Sequence, residues 1–550
     1  MWTLAQHSAS QQSTVLAAVA FVTALLSWRA LAYALRTPEQ KAAEESFRRI
    51  HRPKSTLPVL GNTLDAMFLQ TDRFVDWMSE QSALAGGKPW LMTILGQPPM
   101  FVISSPESYE DLFKMQLHIF ERGETMSYIF KDFLGEGIIA ADGHKWHEQR
   151  KTASHLFSNR MMREVMSEEV RAKTVKLREL LDYCALEHKT VSMKSLISKF
   201  TSDVFTKIGF GVELHGLDAS KLDLDQEHPF IQAIDDMSRL LQLRCQQPMF
   251  LWRLKRWLNV AEEREGKKNM GIITDIVNQV MEKSLSRKAA HGHLTQASRA
   301  VRANAGIPAL EDPKTKTKDM LSFFMESGLT DAQQLQDMAV NFFFAGKDTT
   351  SFVLSWFVVM MNRYPGVLRK IREEIHEQLP ELVSGDIDAP SMEQLSRLPY
   401  LEAAMRENLR LNTSMTTRSP NQDTTLTCGT FVPKNSVVYV CHYASARLKS
   451  TWGEDAAEYK PERWLDPDTG KLRQFSPYKF VTFLAGPRQC IGMRFAMLEL
   501  RMVAAALFSR FDIKTVEDPF DLTYELSTVF PVKGRLLCTV ERVSTIVSAA

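Results

Sequence analysis

Apolar residues recur along most of this chain at the 3.6-residue spacing of amphipathic helices. The spacing predicts helices over about 159–185, 190–210, 228–258, 260–285, 331–363, 365–379 and 397–411. Period-two alternation is rarer and predicts short strands at Met100–Ile103, Phe431–Cys441 and Leu536–Val540. The chain is therefore mostly α, and no fixed repeat divides it. Ser284 to Lys318 breaks the pattern with seven Lys or Arg against two acids, two glycines and two prolines. It reads as an exposed basic loop, and such runs are usually solvated surface.

One stretch is apolar on every face. Thr14 to Trp28 carries no charge, and up to Leu35 the only charge is Arg29. As a helix, 14–35 would span roughly 33 Å, one hydrocarbon core. No acid precedes Glu39, and Arg36, Lys41, Arg48, Arg49, Arg52 and Lys54 follow. The positive-inside tendency would leave the rest of the chain cytosolic. A cleaved signal peptide ending near Ala30-Leu31-Ala32 is a rival reading, but the positively charged leader of such peptides is missing. A mitochondrial presequence is another, but the run is continuous and not Arg-studded. The expected organisation is a short segment 1–13, an anchor 14–35, a basic, proline-containing hinge 36–62 and one catalytic domain 63–550 holding the loop 284–318.

Composition narrows the class. Among 550 residues, 67 Lys and Arg face 65 Asp and Glu, a net charge of +2, unlike a nucleic-acid-coating surface. The 44% apolar content suits a large core. Six scattered cysteines make no disulfide framework and point to a reducing compartment.

Two segments carry chemistry. The helix over 331–363, opened by a capping box at Thr330-Asp331-Ala332-Gln333, holds only Lys347 and Asp348 as charges between Ala339 and Asn362. Its centre reads Ala345-Gly346-Lys347-Asp348-Thr349-Thr350. Gly346 costs about 1 kcal/mol against alanine and lets something flat or small approach. Thr349 can bond back to the carbonyl four residues earlier and open the helix locally. An acid beside an alcohol can relay protons, and a kinked core helix is the plainer alternative. The second segment is Phe483-Leu484-Ala485-Gly486-Pro487-Arg488-Gln489-Cys490-Ile491-Gly492, between a strand-like Lys479–Phe483 and a helical run from Met493 to Phe508. Cys490 thus precedes a helix N-terminus, where amides and dipole favour a thiolate. Gly486 and Gly492 permit tight backbone, and Arg488 offers charge to an anion. A single thiolate suits a soft or borderline metal, whereas a free cysteine is often only a buried hydrophobe. Chance alone would give the five positions Phe483, Gly486, Arg488, Cys490 and Gly492 roughly 2 times in 10,000 such chains.

That loop resembles the haem-binding loop of the cytochrome P-450 superfamily, and other motifs follow in family order over residues 55–545. The resemblance implies the P-450 fold, a large helical domain with a small β region behind one N-terminal transmembrane helix. It implies haem b with Cys490 as the axial iron ligand. Phe483, Gly486 and Gly492 would shape the cofactor loop, and Trp146, Arg150 and Arg488 would serve the haem propionates. Asp348 and Thr349 would deliver protons to O2, the co-substrate. Glu407 and Arg410, with Arg463 of Pro461-Glu462-Arg463-Trp464, resemble the family's structural triad. No nucleotide motif is present in the right context, so electrons would come from NADPH through a separate flavoprotein reductase docking on the cysteine side. The implied location is the endoplasmic reticulum membrane, single-pass, with the catalytic domain cytosolic. One departure stands out. After Leu411 the family usually has an aromatic and prolines, but here the chain reads Asn412-Thr413-Ser414-Met415-Thr416-Thr417-Arg418. Arg418 lies one residue off the place where some members supply a propionate arginine.

Gly135-Glu136-Gly137-Ile138, Asp142-Gly143, Trp452–Ala456 and Ser476–Phe480 resemble plant and fungal fatty-acid ω-hydroxylases. The implied reaction is hydroxylation of a lipophilic chain, with Tyr128, Phe130, Phe133, Phe342, Phe343, Val529 and Phe530 as candidate walls. The rivals are a sterol or specialised-metabolite oxygenase, an O2-independent haem-thiolate isomerase or dehydratase, and a haem sensor or carrier without turnover.

Overall fold

The computed structural model describes residues 47–217, 229–290, 320–329 and 331–543. The anchor 14–35 lies outside them, and among the described residues no helix is long and apolar enough to cross a membrane. Most of the loop 284–318 also lies outside, but its first residues are helical, because the helix Ala261–Ala290 runs on through them.

The architecture is mostly α, as the periodicity requires. Helices Met193–Phe210, Ala332–Arg363, Pro399–Leu411 and Met493–Phe508 pack around one continuous core. The long helix Ala332–Arg363 runs through the centre. Asp331 caps it by accepting from the Gln334 amide at 2.8 Å, one residue later than the Thr330 box predicted. It ends at Tyr364, because Pro365 cannot continue the ladder and instead opens Pro365–Gln378. The stretch 228–258 is two helices, Pro229–Gln246 and Met249–Leu258, broken before Pro248. The segment 159–185 becomes a short helix, a wide turn and the helix Ser167–Leu186.

Ten short strands lie among the described residues: β1 (Trp90–Met92), β2 (Met100–Ile103), β3 (Phe120–Glu121), β4 (Val191–Ser192), β5 (Thr416–Pro420), β6 (Thr424–Thr425), β7 (Phe431–Val432), β8 (Val437–Val440), β9 (Phe511–Thr515) and β10 (Leu537–Arg542). The main sheet runs β1-β2-β8-β5-β3, with β2 parallel to β8 and Val102 opposite Tyr439. β4-β10-β9 and β6-β7 form two smaller sheets. The predicted strand at Phe431–Cys441 is β7 and β8 with a turn between, and Lys479–Phe483 is turn, not strand.

Glu407 is fully buried and fully used. Arg410 grips it in two bonds of 2.8 Å, Trp464 Nε1 donates at 2.9 Å, the Lys460 amide at 3.0 Å and Arg463 Nε at 3.3 Å. Arg410 also donates to the carbonyls of Ala446, Ala456 and Glu458. The helix Pro399–Leu411 is thereby fixed to the segment 446–464, and Trp464 packs edge-on against Phe480 on the approach to the cysteine loop.

Removing one partner from such a network strands buried charge and costs about 3–5 kcal/mol. Glu407→Ala should lower stability by that order in thermal and urea unfolding. Lys370→Ala, which breaks an exposed pair with Glu462, should stay within about 0.5 kcal/mol.

Candidate active site

The long helix is buried from Met338 to Met361 except at Ala345, Gly346 and Thr349. Those residues face a cavity of about 980 Å³, part of it open to solvent, whose opposite wall holds Phe483, Leu484, Cys490, Ile491 and Gly492. Cys490 counts as exposed, yet the surface it exposes belongs to this cavity deep in the protein. Phe157, Phe205, Phe342, Phe352, Val353 and Val529 supply apolar wall.

The loop that presents the sulfur is tied at both ends. The Cys490 amide donates to the Phe483 carbonyl at 2.7 Å, and Arg150 donates to the Gln489 carbonyl at 2.6 Å. Gly486 has φ +60°, and a Cβ there would stand 2.2 Å from the Phe113 carbonyl oxygen, so only glycine fits. Gly492 differs from expectation. A Cβ there would meet only Phe157 at 3.5 Å, so protein packing does not demand glycine, and the free side is cavity wall. Burial pushes the Cys490 thiol up, while the Gly492 amide and Arg150 pull it down without prevailing. The helix terminus therefore does not make a thiolate by itself. A metal cation at the sulfur would complete the deprotonation.

Beside the loop lies a cluster of arginines, Arg418 buried and Arg122, Arg150 and Arg488 half-buried. Arg488 stacks 3.8 Å above the Trp146 ring and bonds Asp142 at 2.7 Å. Arg150 lies 5.7 Å from the same ring. Arg122 donates to the Ile139 carbonyl at 2.7 Å, and its amide donates to Asp142. Arg418 is 6% exposed and points beside Phe113, bonded only to Thr416 and Thr417 of its own strand. Burial, then the neighbouring arginines, pushes Arg418 down to about 9. Burial and Arg488 push Arg122 down to about 10, against the pull of Asp142. Asp142 offsets only part of this charge. The group is built for an anion with more than one carboxylate, which arginine forks match. A thiol on a mainly apolar cavity, with such a cluster beside the loop that presents it, fits an iron porphyrin bearing propionates.

Two glycines explain how Asp142 gets there. A Cβ at Gly135 would fall into the Asp337 carboxylate, and one at Gly137 into the Asn341 amide. Asp337 accepts from the Glu136 amide at 2.8 Å and Asn341 from the Ile139 amide at 3.0 Å. The loop 135–142 is thus docked on the long helix.

Thr349 donates to the Ala345 carbonyl at 2.7 Å as expected, but the helix does not open there: it stays continuous through Thr349. Gly346 receives the Phe205 ring, whose Cδ2 would be 2.0 Å from a Cβ. Asp348 points away from the thiol cavity into a separate cleft with Asp235, Ser351, Glu525 and Ser527; Phe352 and Val529 border both spaces. Lys347, almost fully buried, pairs with Asp235 at 3.0 Å and with Asp348 at 2.6 Å. Burial holds the Asp348 carboxyl above the ordinary carboxylate range against the pull of Lys347. Ser198 and Ser238 line the same cleft with hydroxyls that have no partner, a setting for ordered water.

Of the candidate walls, Phe342 and Val529 reach the cavity. Phe343 packs on Phe230, Phe133 on Phe344, Tyr128 on Trp252 and Phe530 on Tyr524, while Phe130 lies under Arg122. Sequence reasoning missed Arg122, the Lys347–Asp235 pair and Glu499. Glu499 left a signal, as the one acid in the apolar helix Met493–Phe508.

The cytochrome P450 family description matches residues 52–539. The chain belongs to the cytochrome P450 family and is a P450 monooxygenase. It is 29% identical to "Cytochrome P450 CYP94D108" of Paris polyphylla, over 89% of this chain and 93% of that protein. It is 29% identical to "Alkane hydroxylase MAH1" of Arabidopsis thaliana, over 84% and 89%. It is 28% identical to "Cytochrome P450 94B3" of the same plant, over 84% and 86%.

Glu499 is 1% exposed, shares a hydrogen bond with Thr350 and leaves Oε1 without a partner. Burial pushes it up to about 8, and pushes Glu374, which accepts from the Tyr400 and Leu401 amides, up to about 7. Each folded pKa lies above the unfolded value of about 4.3. Their stabilisation is therefore full below pH about 4.3 and is lost as pH rises to 8, at up to about 1.4 kcal/mol per pH unit per group. Melting temperature should fall from pH 5 to 8, and Glu499→Gln should flatten the upper part of that fall.

Proposed function

We propose that this chain holds haem b through Cys490 and hydroxylates the terminal carbon of long-chain fatty acids. The observation that carries the reading is the thiol facing Ala345, Gly346 and Thr349 across one apolar cavity, with under-compensated arginines beside the loop that presents it. The alkyl assignment draws on a relative named an alkane hydroxylase, and the fatty-acid assignment on the likeness of Gly135–Ile138, Trp452–Ala456 and Ser476–Phe480 to fatty-acid ω-hydroxylases.

When bound, haem iron activates O2 for insertion into a C–H bond: R–H + O2 + 2 e− + 2 H+ gives R–OH + H2O. Cys490 would hold its iron through the thiolate. Arg488, Arg150 and Trp146, joined by Arg122 and Arg418, would hold its propionates. The indole and the guanidinium stacked on it fix the register of that edge. Thr349 places a hydroxyl on the cavity wall, able to hold a proton where O2 would be reduced. Asp348 draws on the serine-lined cleft, paired there with Lys347, and since it points away from the cavity its proton reaches the Thr349 side only when the acid's side chain turns. Phe157, Phe205, Phe342 and Phe352 exclude water and bury the alkyl chain at about 0.8 kcal/mol per methylene.

Electrons come from NADPH through a separate flavoprotein reductase. A concave face beneath the cysteine loop supports a docked acidic partner: Arg160, Arg163, Arg406, Arg494 and Arg501 line it with Glu164 as its acid. Segment 14–35 anchors the chain in the endoplasmic reticulum membrane, catalytic domain cytosolic. The apolar run and the basic flank after it support this.

The test is turnover of saturated fatty acids of increasing length, with the alcohol located by mass spectrometry. Terminal alcohols with a length optimum are expected, two methylenes changing binding by about 15-fold. Thr349→Ala should still bind substrate but consume several reductant equivalents per alcohol. Scattered internal alcohols, or turnover of rigid sterols alone, would overturn the reading.

A further inference from the structure

A second, smaller void of about 280 Å³, its mouth included, lies where four helices meet. Thr206 and Phe210 of Met193–Phe210, Phe230 of Pro229–Gln246, Ile276 and Val277 of Ala261–Ala290 and Phe343 of Ala332–Arg363 enclose it. Its wall exposes no polar atom, because the Thr206 hydroxyl turns to the Ser202 carbonyl, 2.6 Å away. Water inside would find no hydrogen-bond partner, and apolar voids of this kind stay dry and take up apolar gases. On the inner side one ring pair divides the void from the thiol cavity. Phe343 lines the void, Phe205 lines the cavity, and the two rings meet edge to face at 6.5 Å. Phe205 lies in the notch that Gly346 leaves in the long helix. On the outer side Leu214 and Ile276 close the void, and both are only half-buried. Void, ring pair and notch thus form one apolar line from near the surface to the cavity.

We infer that this line admits dioxygen: the void binds O2 and passes it between the Phe343 and Phe205 rings into the cavity at Gly346. A P450 monooxygenase consumes O2 in every turnover. A lipophilic substrate that fills the cavity also blocks its mouth, so O2 needs an entrance that the substrate does not occupy. Dioxygen is apolar and leaves water for an apolar wall as any apolar solute does. Core side chains hop between rotamers although the core is close-packed, and a brief opening of the ring pair passes a diatomic gas but not an alkyl chain. The inference rests on the monooxygenase reaction and on haem at Cys490, and holds whichever substrate is hydroxylated.

The experiment uses the haem-loaded full chain with Val277→Phe, which fills the void, Val277→Leu, which fills it in part, and Phe343→Leu, which thins the ring pair. Xenon-pressurised crystals should show xenon in the void of the unsubstituted chain and none there in Val277→Phe. Recombination of carbon monoxide with the reduced protein after flash photolysis reads gas entry apart from turnover. With dodecanoic acid in the cavity, as its shift of the haem Soret band reports, Val277→Phe should slow recombination by about ten-fold and Val277→Leu by less, while Phe343→Leu should speed it. Without the acid the cavity mouth is free, and all three variants should recombine within about two-fold of the unsubstituted chain. Unchanged rates with the acid bound would overturn the inference, and so would a void that takes no xenon. Slowing by Val277→Phe to the same extent without the acid would assign the effect to a distorted fold and overturn it too. If dodecanoic acid shifts no Soret band, the fatty-acid reading fails, and the xenon result still decides the gas site.

Discussion

One buried carboxylate sets the frame in which the site can exist. Glu407 has no access to water, and its negative charge is tolerated only because two arginines, an indole and a backbone amide converge on it. Those donors come from two stretches of chain, the helix Pro399–Leu411 and the segment 460–464. Satisfying one acid therefore fixes the floor below the cysteine loop. Trp464 carries that order to Phe480, and Gly486 seats the loop against the Phe113 carbonyl.

Above that floor the charge pattern reverses. Around Asp142 the arginines outnumber the acids, and each loses basicity through burial before any neighbour is counted. A fold that spends an anion's worth of unmatched charge beside a thiol-lined cavity is prepared for a dianionic, flat, metal-bearing partner. The long helix meets the same cavity with its few unburied residues, while its acid faces a different, polar cleft. Thiol and Asp348 carboxyl are thus separated by Phe352 and Val529, which keeps the cavity apolar.

Much of this was legible in the chain. The helix periodicity located the long helix within a residue or two, and the buried contacts of Glu407 join Arg410 and Arg463, residues that the sequence singled out. What escaped depends on pairing across distance. Arg122 follows a two-residue strand with no periodic signature, and only the folded chain shows it sharing Asp142 with Arg488. Arg418 was doubted for lying one residue off register, yet β5 pairs it opposite Val438 and turns it inward among the other arginines. The aromatic walls misled because a phenylalanine packs equally well in core or cavity. Phe343 and Phe133 went to neighbouring rings, and Phe157 and Phe205 took the wall. Pro248 divided a helix that its apolar spacing ran together.

The central claim is that Cys490 alone among the cysteines is the metal ligand. Cys441 and Cys538 are buried away from the cavity, with thiols that burial pushes up to about 11 and about 12. The direct measurement is the absorption spectrum of the reduced, carbon-monoxide-bound, haem-loaded protein. The unsubstituted chain, Cys441→Ala and Cys538→Ala should all show the red-shifted Soret band of thiolate ligation, and Cys490→Ala should lose it. Survival of that band in Cys490→Ala would contradict the account.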